Sequence, residues 1–229
     1  MPSLRGRAVR VGRGTCLIFD AEVLEAVRIL FALMAAVLLL ARPSAAADAE
    51  REVAIVAGGC FWCVESDFDH VPGVLETISG YTGGAVMNPT YQMVGRHNTG
   101  HREAVQITFD PKVISYERLL AIFWRTVDPT DAGGQFCDRG EPYETGVFVL
   151  NDAQRAIAEL SKQEAAKVLN KPIVTPILPA RTFWPAEDYH QDYHNTNPIK
   201  YKVYRWRCGR DQRLEELWGD QAHMGLTKP

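Results

Sequence analysis

The sequence carries no excess of positive charge: over 229 residues its net charge is −3. Binding a phosphate backbone needs clustered Lys and Arg, so nucleic acid is excluded as the main partner. Long apolar runs are also lacking. The unbroken stretch 29–41 (ILFALMAAVLLLA) falls short of the about 20 residues that a bilayer-spanning helix needs. There are no internal repeats, and no low-complexity tract outside the first fifty residues. With 46% hydrophobic and 23% charged residues, disorder is not the default, and the length suits one domain with appendages.

The apolar stretch does fit a different role. Arg28 precedes it, and Arg42, Pro43 and Ser44-Ala45-Ala46-Ala47 follow, with Ala45 and Ala47 in an A-x-A arrangement. Residues 1–47 are therefore expected to be a signal peptide that exports the rest, to a periplasm in the simplest case; an uncleaved membrane anchor is the alternative. Asp20, Glu22 and Glu25 do not suit a positive leader start, which translation from near Val23 or Val27 would explain. The remaining domain, 48–229, is acidic and shows no basic face for a membrane. No stable membrane association is expected after cleavage, and a monomer is expected. Four cysteines stay with it: Cys60, Cys63, Cys137 and Cys208. In an exported domain they could form two structural disulfides. A domain of this size has core enough without them, which leaves cysteine chemistry open.

Along that domain, Val53–Ala57 reads as a buried strand ending in the turn Gly58-Gly59, and a helix is expected from Cys60 to about Phe68. Val74–Tyr81 and Glu103–Phe109 alternate as strands, the second with Val105, Ile107 and Phe109 on one face and Ala104, Gln106 and Thr108 on the other. Leu119, Leu120, Phe123, Trp124 and Val127 form an apolar stripe at helical spacing. Gly146–Leu150 predicts a strand, Asn151 or Asp152 can cap a helix to about Leu169, and Ile173–Ile177 predicts a last strand. From about 180 the chain is aromatic and Pro-broken, irregular until Asp211–Trp218. Two strands in direct succession speak against a doubly wound parallel sheet and predict an α+β fold with a mixed sheet and flanking helices. Function is expected in the two polar loops, 83–102 and 128–144.

Cys60-Phe61-Trp62-Cys63 admits several chemistries. As a metal half-site it would need a second close pair; His190 and His194 are too far along the chain to complete a zinc-finger spacing, so no metal is expected. A strand followed by CxxC at a helix start suits a thiol–disulfide oxidoreductase, whose helix N-terminus stabilises a thiolate. A third reading makes Cys60 a nucleophile, its pKa lowered by the helix N-terminus, beside an apolar pocket walled by Phe61 and Trp62. Such a thiolate needs a partner thiol for regeneration, and Cys63 is one turn away. An inert aromatic pair between core cysteines is the remaining alternative.

Seven stretches in order make residues 52–209 resemble the peptide methionine sulfoxide reductase A family: GGCFWCVE (58–65), GYTGG (80–84), NPTY (88–91), TGHREAVQITFDP (99–111), DPT (128–130), CDRGEPYETGVF (137–148) and YHQDYH (189–194). The resemblance implies a ferredoxin-like core. It implies that Cys60 attacks the sulfur of methionine S-sulfoxide and is left as a sulfenic acid, which a second cysteine converts to a disulfide. A thioredoxin-like reductant would then reduce that disulfide, with no metal or organic cofactor. Glu103 is implied as the acid that protonates the departing oxygen, Tyr91 and Tyr143 as hydroxyl donors, and Asp138 as a residue that fixes the site. Phe61 and Trp62 would hold the methyl group on sulfur. The residue chemistry agrees, because a sulfoxide oxygen leaves only as it gains a proton or strong hydrogen bonds.

Two departures matter. Many members of the family have Gly where this chain has Cys63, and their cysteine-bearing Gly-rich tail is not recognisable here. Cys63 and Cys208 thus compete as the resolving cysteine: Cys63 is favoured, whereas Cys208 would need a mobile tail and is otherwise a packed thiol or bonded to Cys137, with direct external reduction as the third route. Export would put the enzyme beyond cytosolic thioredoxin and imply a membrane-relayed thioredoxin-like donor. A non-catalytic module that binds methionine side chains is the alternative from another class.

Overall fold

The strand β1 (Glu52–Ala57) is the short Val, Ala and Ile run, and its last four residues are buried. After it come α1 (Phe61–Phe68), β2 (Val74–Thr82), a one-turn helix α2 (Tyr91–Val94), β3 (Arg102–Phe109) and α3 (Tyr116–Trp124). The second loop holds a small hairpin, β4 (Gly134–Gln135) and β5 (Asp138–Arg139), and a 3-10 turn at Glu141–Tyr143. The chain continues through β6 (Gly146–Val149), α4 (Asp152–Leu169), β7 (Ile177–Pro179), β8 (Trp184–Pro185), α5 (Tyr193–Thr196), α6 (Pro198–Arg207) and α7 (Arg210–Trp218). This computed structural model describes residues 51–226, so the expected leader lies outside the described residues. No helix among the described residues is long and apolar enough to cross a membrane.

Six strands form one sheet in the order β7-β6-β1-β3-β2-β8, antiparallel except for the parallel pair β6–β7. The order β1-α1-β2-β3-α3-β6, with spatial neighbours β6-β1-β3-β2, is the ferredoxin-like arrangement. Side chains alternate across this sheet as strand geometry requires. Ala54, Val56, Val105, Ile107 and Phe109 point to one face and join Phe61, Val64 and Phe68 of α1 and the buried stripe of α3 in the main core. Ile55, Ala57, Ala104 and Phe148 form a smaller cluster, with Leu178, Ala180 and Phe183 packed against it. Caps fix the helix starts: Ser115 accepts from the Arg118 amide and Asn151 from the Gln154 amide, while Asn170 closes α4 in the left-handed conformation.

Two expectations need correction. The strand expected at Ile173–Ile177 is instead Ile177–Pro179, and it is followed by one more short strand, β8. Pro172 and Pro176 bracket the expected run, and pairing with β6 begins only at Ile177, after the Pro176 carbonyl accepts from Val147. The segment after 180 is not irregular up to residue 211. Pro198 sits at the first turn of α6, where its missing N–H and fixed φ cost nothing, and the helix runs to Arg207.

Candidate active site

β1 delivers the chain into the turn Gly58-Gly59. Gly59 has φ +83°, and a Cβ there would stand 2.6 Å from the Gln135 side chain, so no other residue fits. The turn places Cys60 at the N-cap of α1, where its carbonyl accepts from the Cys63 amide at 3.1 Å. Arg210, 2% exposed, holds the turn from behind by donating to the Gly58 carbonyl at 3.2 Å and the Thr126 carbonyl at 2.8 Å.

The alternation of β3 puts Glu103 on the same face as Val105 and Ile107, directly under the start of α1. Its Oε2 accepts the Phe61 amide at 3.0 Å. Glu103 is 3% exposed. Burial pushes its carboxyl up to about 8, the Phe61 amide only partly offsets this, and the charges of Asp138 and Cys63 push further upward. Glu103 is therefore a neutral acid at pH 7, as a proton donor must be. Tyr91, at the start of α2, and Tyr143, on the 3-10 turn, bring their hydroxyls near one another. Burial raises both above the ordinary phenol range, with the Glu103 charge adding, so both keep their protons. Asp138, on β5, is half-buried and raised by burial, and accepts a short hydrogen bond from the Tyr204 hydroxyl. Tyr204 also reaches the Cys60 sulfur.

The expected lowering of the Cys60 pKa is not what the site does. Cys60 and Cys63 are both free, buried thiols, 6% and 2% exposed. Burial raises Cys60, and Cys63 and Glu103 raise it further. Cys63 is lowered to about 7, first by the hydrogen bond from Cys60, against burial, and then by the guanidinium charges of Arg210 and Arg205. Burial opposes charge at both sulfurs, and the guanidinium groups of Arg210 and Arg205 favour it at Cys63. Depth of burial overrides the helix terminus at Cys60.

Around the thiols lies an aromatic box. Phe61 is 1% exposed and packs on Tyr81, while Trp62 is half-buried and stacks flat on Tyr193, 3.7 Å between centroids and 8° between planes. Tyr204 meets Trp62 edge-on at 5.8 Å. The tract 189–194 and the preceding Glu187 clasp this box to the fold. Glu187 accepts from the Tyr81 hydroxyl and the Tyr91 amide, both at 2.9 Å. Gln191 bonds the backbone of Ser79 on β2 through both of its amide atoms, and His194 pairs with Asp69 at 3.2 Å. His190 accepts from the Trp62 indole.

Cys137 and Cys208 form a disulfide that ties the β4–β5 hairpin to the C-cap of α6. Cys208 Sγ lies 3.7 Å from Asp138 Oδ2. Cys208 is thus not a free thiol on a loose tail, and Cys63 is the free thiol beside Cys60. A cavity of about 300 Å³ lined by Arg102, Glu141 and Glu144, among others, contains none of these groups.

The model of one family, peptide methionine sulfoxide reductase, matches residues 52–222. The chain belongs to that family. Peptide methionine sulfoxide reductase MsrA 2 of Rhizobium meliloti is 53% identical over 200 residues, 87% of this chain and 98% of the relative. Peptide methionine sulfoxide reductase MsrA of Bacillus subtilis is 52% identical over 172 residues, 74% of this chain and 97% of the relative. Among solved structures, Mxr1 from Saccharomyces cerevisiae in reduced form is 30% identical with a TM-score of 0.62, covering 66% of this chain and 88% of that one. The methionine sulfoxide reductase A of Corynebacterium diphtheriae is 29% identical with a TM-score of 0.59, covering 69% and 78%.

For this member of the reductase family, the structure brings Cys60, Cys63, Glu103, Tyr91, Tyr143, Asp138, Phe61 and Trp62 to one end of the sheet, around the start of α1. Tyr193, Tyr204, His190 and Arg210 complete the surroundings and were not among the expected site residues. Tyr201 and Tyr204 stand three apart on α6, a helical spacing that could have marked an inward face.

Proposed function

We propose that the protein reduces methionine S-sulfoxide, free and in peptides, to methionine. The observation that carries the reading is the neutral, buried Glu103 held by the Phe61 amide one residue from Cys60. In the proposed step the Cys60 sulfur attacks the sulfoxide sulfur, and its proton passes to Cys63 along their hydrogen bond. Glu103 protonates the sulfoxide oxygen, with Tyr91 and Tyr143 donating hydrogen bonds to it as the S–O bond weakens. The protonated oxygen then passes from the substrate sulfur to the Cys60 sulfur as the transient sulfur–sulfur bond breaks, so methionine leaves with two more electrons than the sulfoxide had and Cys60 remains as the sulfenic acid. Cys63 then attacks the Cys60 sulfur, water leaves, and a Cys60–Cys63 disulfide forms. A thioredoxin-like dithiol donor returns the pair to thiols. Asp138 and Tyr204 brace the Cys60 side of the site, and Phe61 and Trp62 receive the methyl group.

The A-x-A leader supports export to a periplasm, where a membrane-relayed donor would serve. The acidic domain supports a monomeric, membrane-free enzyme after cleavage.

The decisive assay supplies separated methionine sulfoxide epimers and dithiothreitol. Repeated turnover of the S epimer alone, lost in Cys60→Ser, is the expected result. Turnover of the R epimer, or none of either, overturns the reading; unchanged substrate binding without turnover in both proteins would support a binding module.

A further inference from the structure

The tract 189–194 has one member whose ring packs against the substrate pocket. His190 ends a 3-10 turn, 2% exposed, its amide bonded back to the Glu187 carbonyl at 2.8 Å. Its Nδ1 accepts from the Trp62 indole N–H at 3.1 Å. Its ring lies 4.9 Å from Phe61, 4.5 Å from Tyr91 and 4.2 Å from Tyr189, centroid to centroid. One imidazole thus touches both residues proposed to seat the methyl group and one of the two hydroxyl donors.

The protonation pattern shows what the ring is there for. An Nδ1 that accepts a hydrogen bond leaves the proton on Nε2 in the neutral ring. That Nε2 is buried and has no hydrogen-bond partner. Leaving a buried donor unpaired is costly, and an apolar side chain would fill the same space without that cost. The imidazole is therefore spent on the Nδ1 contact. Burial holds its pKa below the ordinary histidine range, against the pull of Glu187, which keeps Nδ1 free to accept.

Beside the edge-on contact with Tyr204, two contacts bear on the Trp62 ring from different sides. Tyr193 stacks on its face, which leaves the indole free to slide and turn in its plane. The hydrogen bond from Nε1 removes that freedom. We infer that His190 is the positioning residue of the methyl pocket: by fixing the in-plane orientation of Trp62 and wedging between Phe61 and Tyr91, it sets how tightly the pocket grips the alkyl group on the sulfoxide sulfur. The thiol chemistry does not pass through it. The inference rests on the reductase reading given above and adds a residue that controls substrate selection.

The test uses His190→Leu, which removes the acceptor, and His190→Asn, whose Oδ1 can stand near the position of Nδ1. KM and kcat are measured with the S-sulfoxide of N-acetylmethionine and dithiothreitol, and methyl against ethyl p-tolyl sulfoxide gives the alkyl preference. For H190L, KM rises about tenfold with kcat within about threefold, and the methyl preference falls at least about fivefold. H190N recovers most of both losses. Combining H190L with Trp62→Phe adds nothing further to the KM of W62F, because the two act through one contact. A folded H190L with unchanged KM and alkyl preference overturns the inference, as does an H190N no better than H190L. If H190L does not fold, the comparison of H190N with His190→Gln, whose polar group falls at the other ring position, takes its place with the same expected ranking. Wild-type protein that turns over neither epimer would instead sink the reductase reading.

Discussion

The backbone amide of Phe61 donates to Oε2 of Glu103 at 3.0 Å. This bond joins the first turn of α1 to the middle strand of the ferredoxin-like sheet. It sets the distance between the proposed nucleophile and the proposed acid, because Cys60 is the residue before Phe61. A carboxylate at a helix N-terminus is ordinarily stabilised as the anion. Here burial outweighs the helix dipole and the amide together and keeps the group protonated. The same balance governs Cys60, where burial raises the thiol at a helix start that would otherwise lower it.

The acid role of Glu103 gives a signed pH dependence. With the carboxyl up at about 8, the neutral donor is present at pH 7 and disappears as pH rises through that value. Single-turnover reduction should therefore decline above about pH 8, while the thiol pair supplies the rising limb below it, near the value of about 7 at Cys63. Glu103→Gln keeps a hydrogen-bond donor but no transferable proton. Its rate should drop at least about 100-fold and lose the alkaline decline. A Gln variant that retains the full rate would remove Glu103 from the chemistry.

The two thiols make separable predictions. Cys63→Ser should still form one methionine per protein, because Cys60 is intact, but the Cys60 sulfenic acid should then persist and be trapped by dimedone. Wild-type protein after one turnover without reductant should yield a Cys60–Cys63 bridged peptide on mass mapping, with the Cys137–Cys208 bridge unchanged. A Cys60–Cys208 peptide would instead assign resolution to Cys208 and mean that its bridge to Cys137 was open before turnover.

Much of this site was legible because its parts obey local periodicities. The alternation of β3 identified the face of Val105, Ile107 and Phe109, and Glu103 follows by parity. Gly58-Gly59 marked the turn that ends β1. α6 escaped because its pattern is inverted: Ile199 and Trp206 are 79% and 80% exposed, while Tyr201, Tyr204 and Arg205 face inward. An amphipathic reading looks for aliphatic residues on the buried side and meets only Tyr201 and Tyr204 there. Without α6 in place, neither the Cys137–Cys208 pairing nor the Tyr204–Asp138 contact can be deduced. The pKa of Cys60 was misread for a different reason. A helix start is a local feature, whereas burial by Tyr204 and Cys63 depends on how distant segments pack.

The Cys137–Cys208 bridge closes a sequence separation of 71 residues. A loop of that length restricts the unfolded chain by about 4 kcal/mol in the chain-entropy picture, with about 2–4 kcal/mol typical of measurement. Cys137→Ser with Cys208→Ser should lower the melting temperature by about 5–15 °C. Cys137 is exposed, so reductant should produce the same drop in the wild type. Identical melts with and without reductant would show that the bridge does not stabilise the fold.

Glu65 predicts how stability changes with pH. It lies on α1, 1% exposed, and burial pushes its carboxyl up to about 7, with the nearby Asp192 amide only partly offsetting this. In the unfolded chain the same group titrates at the ordinary value of 4.5. Between these values the unfolded state holds fewer protons than the folded one, so stability falls as pH rises. The contribution is fully present below 4.5 and lost by about 7. Glu103 works in the same direction up to about 8. Glu65→Gln keeps the acceptor oxygen for Asp192 and removes the titration, so the difference between the two proteins isolates this one group. Urea unfolding at about pH 5 and about pH 8 should show the wild type losing about 2 kcal/mol more than E65Q, allowing for the solvent that still reaches the side chain. Parallel pH profiles for the two proteins would mean that Glu65 is already ionised in the folded state, and that burial does not dominate at this end of α1.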